Sequence, residues 1–184
     1  IPLLPLHILW INLVTDGLPG LALANEKAEK DIMTRPPRHP SESIFSNGLG
    51  VHVLWVGLLM GGISLSVQAW AVHIGNAHWQ TMVFSTLCFS QMAHVLVIRS
   101  DKYSLFQQGL FTNLPLLGAV VLTFVLQLMI VYVPFLHTVF STQALSLNEL
   151  MICILSASII LLAVEVEKFF KRLNRKSNNI KISG

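Results

Sequence analysis

Three oxygen-bearing side chains near the start of the sequence have the types and the spacing of a cation site. Asn12, Thr15 and Asp16 are spaced i, i+3 and i+4, so an α-helix would place all three on one face. They offer an amide carbonyl, a hydroxyl and a carboxylate, hard oxygen ligands that suit Ca²⁺, Mg²⁺, Mn²⁺ or Na⁺ rather than soft metals. Hydrogen bonding to neighbouring helices would explain Asn12 alone, but it explains an ionised Asp16 poorly. The pattern therefore predicts ion binding.

The residues that follow, Gly17 to Gly20, predict a break in the helix. Pro19 has no N–H to donate, and glycines tolerate irregular dihedral angles, so nearby backbone carbonyls lose their partners. Unwound backbone at membrane depth is tolerated only where it is buried or lines a cavity, and transporters use such carbonyls to coordinate ions. We expect the opened backbone to complete a cage with Asn12 and Asp16.

The element that carries these residues is predicted to cross a membrane. The chain of 184 residues is 53% hydrophobic and only 11% charged, whereas a soluble domain has about 25% charged residues. No Asp, Glu, Lys or Arg occurs from 43 to 98 or from 103 to 148. We predict an all-α, polytopic transmembrane bundle, with the first helix broken near Gly17–Gly20. Its five spans are expected at about Leu3–Ala24, Gly48–His73, Thr81–Ile98, Leu110–Val133 and Leu147–Val166.

Asp16 is the only ionisable residue that lies well inside one of these spans. An ionisable group at mid-membrane costs about 2.5–3.5 kcal/mol on insertion scales, so it is a candidate functional residue by default.

The basic residues predict the topology. All twelve Lys and Arg residues follow the first, third or fifth span, and five spans put those three regions on one side. The positive-inside rule makes that side cytoplasmic, with the N-terminus outside a cell membrane. The net charge of +3 thus marks topology in a lipid bilayer and does not indicate nucleic-acid binding. We divide the chain into a first helix with the cation motif (1–24), a cytoplasmic loop (25–46), a four-helix transmembrane bundle (47–170) and a basic cytoplasmic tail (171–184).

The third span carries a second, weaker group of polar residues. Gln91 could add one carbonyl oxygen to a cation held mainly by Asp16, although hydrogen bonding between helices explains it better on the pattern alone. His94 lacks the Cys or His partners that a metal ligand needs in register. His52 and Gln127, single polar residues on the second and fourth spans, are interpreted as packing contacts.

The sequence contains no phosphate-binding loop, no zinc-ligand spacing and no nucleophile elbow, so the chain is not expected to hydrolyse a substrate unaided. It opens with Ile1, almost inside a hydrophobic segment, and has no signal-peptide features. We expect it to be part of a longer polypeptide.

Two motifs resemble P-type cation-transporting ATPases of the calcium-pump group. The stretch from Leu9 to Pro19, LWINLVTDGLP, is similar to their sixth transmembrane helix. The stretch from Asp31 to Arg38, DIMTRPPR, is similar to the loop that leads to their seventh helix. The remaining spans then resemble helices seven to ten, so the resemblance covers essentially the whole chain.

The resemblance implies roles for four residues. Asn12 and Asp16 would coordinate the transported cation, and Thr15 matches a ligand position of two-site calcium pumps. Gln91 matches a position that holds Glu in two-site pumps and Gln in plasma-membrane-type pumps, which are regarded as moving one Ca²⁺ per cycle. Because divalent affinity follows ligand charge, the missing carboxylate argues against a second high-affinity site.

The expected function is therefore the C-terminal transmembrane domain of an ATP-driven pump that exports Ca²⁺ from the cytoplasm. ATP and Mg²⁺ would act in domains that this chain lacks, and the remainder of the pump would be its partner. Two alternatives stay open: a non-enzymatic membrane module, such as a channel subunit or a scaffold, and a P-type pump for Mn²⁺ or Na⁺.

Overall fold

The structure is a computed structural model that describes residues 1–24, 49–99 and 112–182, with only the backbone described for 174–182. All regular secondary structure in this part is helical, which confirms the predicted fold class; the predicted loop at 25–46 lies outside it. The elements are α1 (Pro5–Trp10), a π-helical segment (Ile11–Asp16), α2 (Gly17–Leu23), α3 (Leu49–His73), α4 (Trp79–Val97), α5 (Leu114–Tyr132), α6 (Pro134–Phe140) and α7 (Leu147–Ile182).

The first span is a continuous helix from Pro5 to Leu23 whose irregular part lies earlier than predicted. The prediction of a break near Gly17–Gly20 is wrong, because this stretch is α-helical and Gly17 has φ −66° and ψ −51°. The irregularity is instead the π-helical turn at Ile11–Asp16. Pro19 lacks an N–H, so the Thr15 carbonyl loses its partner four residues on, and the preceding turn widens rather than the following one.

Four described helices are long and apolar enough to cross a membrane: Pro5–Leu23, α3, α5 and Leu147–Leu173 of α7. The predicted count of five spans differs in α4, which has the required length but is more polar. Helix α4 lies at the centre of the bundle, where α3, α5, α7 and the first span all pack against it. Its polar residues therefore face protein rather than lipid, which explains why hydropathy alone does not mark it as a span.

A tight turn joins α3 to α4. Gly75 has a φ of +69°, a conformation that favours glycine, and it ends α3. The Asn76 N–H donates to the Ala71 carbonyl at 2.9 Å, which closes the helix end. The two helices thereby form an antiparallel hairpin.

Glu149, in the first turn of α7, fastens this hairpin to α7. The Asn76 side-chain amide donates to Glu149 Oε1 at 2.5 Å, and the Ser146 N–H donates to Glu149 Oε2 at 2.6 Å. The Glu149 N–H in turn donates to the Ser146 hydroxyl at 3.4 Å, which completes a capping box.

Helix α7 is longer than predicted. It continues past the expected end at Val166 to Ile182, through most of the predicted tail. No glycine or proline occurs between Leu147 and Ile182 to end it. The Glu167 and Lys171 side chains also form an ion pair one turn apart, at 2.5 Å.

Candidate cation site of the first span

Gln127 of α5 anchors the first span to the rest of the bundle. The Trp10 indole N–H donates to Gln127 Oε1 at 3.0 Å, and Gln127 Nε2 donates to the Ser85 hydroxyl of α4 at 3.4 Å. Gln127 is fully buried, so both ends of its amide are needed to satisfy it. It is therefore more than the packing contact that the sequence suggested, because it fixes α1 against two other helices just before the π turn begins.

His7 provides a second anchor that the sequence did not single out. Its Nδ1 accepts from the Leu4 N–H at 3.3 Å, so Nε2 carries the proton and donates to the Phe140 carbonyl at 2.6 Å. Its buried ring stacks on Phe84 of α4, with 4.2 Å between ring centroids. These contacts hold the start of the first span in a defined position.

The π turn separates the three predicted ligands of the first span. Thr15 is 2% exposed and faces the bundle, while Asn12 and Asp16 are exposed on its outer side. The prediction of one shared face assumed α-helical spacing. A π-helical turn holds more residues, so Thr15 is rotated inward while Asn12 and Asp16 stay on the outer side. π turns of this kind occur frequently at functional sites.

Helix α4 packs against this turn. Cys88, fully buried, lies beside Thr15 and Asp16. Gln91 is one helical turn further along α4 and is half-buried. The structure thus packs the helix of Gln91 against the segment of Asp16, with Cys88 in contact with the turn.

Gln91 Oε1 is buried without a hydrogen-bond partner among the described residues, and the buried Thr15 hydroxyl lies against the Cys88 thiol, which is only a weak donor. An unsatisfied buried polar atom costs about 1–3 kcal/mol, so such atoms call for a partner. The four residues all offer hard oxygen donors, the type that Ca²⁺ and similar cations prefer, but the structure places Thr15 and Gln91 on the inner side of the first span and Asn12 and Asp16 on its exposed side.

His94 and His52 have partners that the sequence did not reveal. Their Nε2 atoms lie 3.3 Å apart, and His52 Nδ1 donates to Glu167 of α7 at 2.7 Å. His52 is therefore not the isolated packing residue that was predicted. No group of three or more His, Cys, Asp or Glu within the described residues is arranged to hold a metal ion.

Similarity to known proteins covers nearly all of the chain. Residues 1–170 match the family described as Cation transporting ATPase, C-terminus. The chain is 40% identical to the Calcium-transporting ATPase of Bacillus subtilis over 157 residues, which are 84% of this chain and 18% of that protein. It is 34% identical to Calcium-transporting ATPase 1 of Yarrowia lipolytica over 180 residues, 97% of this chain and 19% of that protein.

The human protein named Calcium-transporting ATPase type 2C member 1 is 30% identical over 177 residues, 95% of this chain and 19% of its own length. The chain thus spans about a fifth of the length of these relatives. The apolar helices of the structure agree with a multi-pass membrane segment. Since the match extends over 170 of 184 residues, the chain belongs to the family of cation-transporting ATPase C-terminal regions.

Proposed function

We propose that this chain is the C-terminal transmembrane domain of an ATP-driven P-type pump that exports Ca²⁺ from the cytoplasm, and that it contributes part of the ion site. The observation that carries the proposal is the environment of Asp16, an exposed carboxylate at a π turn in a membrane span. The relatives that carry the name calcium-transporting ATPase support Ca²⁺ as the ion.

In the assembled protein, the exposed Asp16 carboxylate cannot face lipid. A carboxylate facing hydrocarbon is strongly disfavoured, and such residues face a bundle interior or a water-filled cavity. We therefore expect the remainder of the pump to cover this face of the first span. That remainder would also supply further ligands and the domains that use ATP and Mg²⁺.

The four residues have separate roles in this account. Asp16 supplies the negative charge that offsets dehydration of the cation, and Asn12 supplies an amide carbonyl. Thr15 and Gln91 supply neutral oxygens from the inner side, where Gln91 Oε1 has no described partner and the Thr15 hydroxyl has only the weak Cys88 thiol beside it. Since only one of the four is a carboxylate, we expect the set to serve a single Ca²⁺.

The basic residues support the orientation. Lys168 Nζ of α7 donates to the Val97 carbonyl at the end of α4. The Lys and Arg residues whose side chains the structure describes all lie at this end of the bundle: Arg99, Lys168, Lys171 and Arg172. By the positive-inside rule this end is cytoplasmic, the N-terminus is outside, and the membrane is a cell membrane.

The test is phosphorylation of the full-length protein by ATP. Asp16→Asn keeps the size of the side chain and removes its charge, so Ca²⁺-dependent phosphorylation should be abolished. Glu165→Gln makes the same chemical change on α7 and should leave phosphorylation dependent on Ca²⁺ as in the unmodified protein. Wild-type dependence in Asp16→Asn would contradict the assignment.

The same assay separates the alternatives. Stimulation of phosphorylation by Mn²⁺ or Na⁺, and not by Ca²⁺, would change the ion and keep the pump. A full-length protein that takes no phosphate from ATP under any ion would instead support a non-enzymatic membrane module whose Asp16 pairs with a partner helix.

A further inference from the structure

A hydrogen-bonded chain of side chains crosses three helices at the end of the bundle opposite the α3–α4 turn. His94 of α4 meets His52 of α3 with 3.3 Å between their Nε2 atoms, and His52 Nδ1 donates to Glu167 Oε2 of α7 at 2.7 Å. The Trp55 indole N–H donates to the same Glu167 oxygen at 3.1 Å and fixes the carboxylate. None of these groups takes part in the cation site.

The two imidazoles meet head to head. The ring centroids are 5.6 Å apart and the Nε2 atoms are 3.3 Å apart. The difference equals about two ring radii, so both Nε2 atoms lie nearly on the line that joins the ring centres. This alignment is that of an N–H···N hydrogen bond. Two ligands of a tetrahedral metal would instead converge on it at an angle, which brings the ring centres closer together. The pair is thus arranged to share a proton.

The chain can take up a proton without losing a hydrogen bond. In the neutral arrangement His52 Nδ1–H donates to Glu167, so His52 Nε2 accepts from His94 Nε2–H. If a proton binds at His94 Nδ1, the N–H bond at His94 Nε2 breaks and one forms at His52 Nε2. The contact between the histidines is retained with its direction reversed, and His52 becomes an imidazolium beside the Glu167 carboxylate.

Charged side chains of α7 lie beside the two histidines. Among the described residues these are Glu167, Lys168 and Lys171, and α3 contributes no charged group other than His52 itself. The Glu167 side chain is 19% exposed and the Lys171 side chain 49% exposed, which gives the carboxylate access to water.

We propose that His94, His52 and Glu167 form a proton relay that opens to the cytoplasm at Glu167. A proton enters at His94 Nδ1, which makes no hydrogen bond within the described residues and lies on the α4 face of Gln91, one turn from it. It leaves when His52 Nδ1–H passes to Glu167 Oε2 and from there to water, and rotation of both rings restores the starting arrangement. The role of the relay rests on the proposed function: it carries protons released from the ion site during transport.

The test uses the full-length pump in sealed vesicles, with Ca²⁺ transport and proton movement recorded together. His52→Asn keeps an amide donor towards Glu167, and His94→Gln keeps one towards His52, but neither amide can relay a proton. We expect both variants to retain Ca²⁺-dependent phosphorylation and to slow proton counter-transport by about tenfold or more. His73→Gln, at the opposite and exposed end of α3, is the matched control and should behave as wild type.

Each other outcome is decisive. Proton counter-transport in His52→Asn and His94→Gln equal to that of His73→Gln would overturn the relay and leave the pump intact. Loss of phosphorylation together with proton movement in both variants would assign the three residues to stability, and it would also overturn the relay. Absence of Ca²⁺ transport in the wild-type protein would instead refute the proposed function.

Discussion

Glu149 and Asp16 are acidic side chains of the same bundle with opposite surroundings. The Glu149 oxygens have hydrogen-bonding contacts with Asn76, His78 and Ser146 at 2.5–3.2 Å. Asp16 is exposed and makes no hydrogen bond or ion pair with any residue that the structure describes. A carboxylate with permanent donors holds helices together, whereas a carboxylate without them can receive a ligand that arrives and leaves.

The backbone around Glu149 also differs from the backbone around Asp16. Glu149 lies in the first turn of a regular α-helix, where the capping box satisfies the free N–H groups. Asp16 ends a π turn, next to the buried Thr15 hydroxyl, which lies against the weakly donating Cys88 thiol. The Glu149 carboxylate therefore lies in a regular helix turn with hydrogen-bond partners. The Asp16 carboxylate lies at an irregular turn without them among the described residues. We expect substitutions at the two sites to affect different properties.

The largest effect on stability is expected at Glu149. Its two oxygens both face donors, so Glu149→Gln must point an NH₂ group at one of them, and we expect a loss of about 2–3 kcal/mol of unfolding free energy. Thermal unfolding in detergent measures this, with the exposed neighbour Asn148→Gln as control. If Glu149→Gln left the unfolding midpoint unchanged and weakened ion affinity instead, Glu149 would have the role assigned to Asp16, and the contrast between the two carboxylates would be wrong.

A smaller effect, on ion affinity, is expected when a second carboxylate is placed beside the site. Gln91→Glu adds negative charge to an oxygen donor, so half-maximal phosphorylation should require about tenfold less Ca²⁺. Gln68→Glu is the matched control, because Gln68 Oε1 on α3 is also buried without a described partner. Equal behaviour of the two variants would show that Gln91 does not face the ion.

The smallest effect is expected from Thr15→Val, which removes one neutral oxygen and keeps the shape of the side chain. The loss of one weak ligand, about 1 kcal/mol, should raise the Ca²⁺ concentration for half-maximal phosphorylation about fivefold. Thr86→Val removes an equally buried hydroxyl that likewise lies against a cysteine thiol, that of Cys153, away from the π turn. If both variants shift the affinity alike, Thr15 contributes no ligand.

Much of the architecture follows from composition and hydropathy. The predicted limits of the first four helices agree with the structure to within a few residues, because the bilayer requires long apolar segments and charged residues collect between them. The family resemblance was evident from the motif around Asp16, and it is confirmed.

The contacts between helices and the local irregularity of the first span were not evident from the sequence. The position of the π turn depends on which carbonyls lose partners near Pro19, and the sequence placed the irregularity at Gly17–Gly20 rather than at Ile11–Asp16. The contacts of His52 with His94 and Glu167 join residues 42 and 115 positions apart, so no local periodicity indicates them. The exposure of Asp16 also depends on packing, since i, i+3, i+4 spacing does not state which face meets other helices.

Equilibrium binding of radioactive Ca²⁺ to the purified full-length protein, without ATP, tests the role of Asp16 most directly. The account predicts that wild type and Glu149→Gln bind one Ca²⁺ per molecule, while Asp16→Asn binds none at the same free concentration. Equal Ca²⁺ binding by Asp16→Asn and wild type would contradict it.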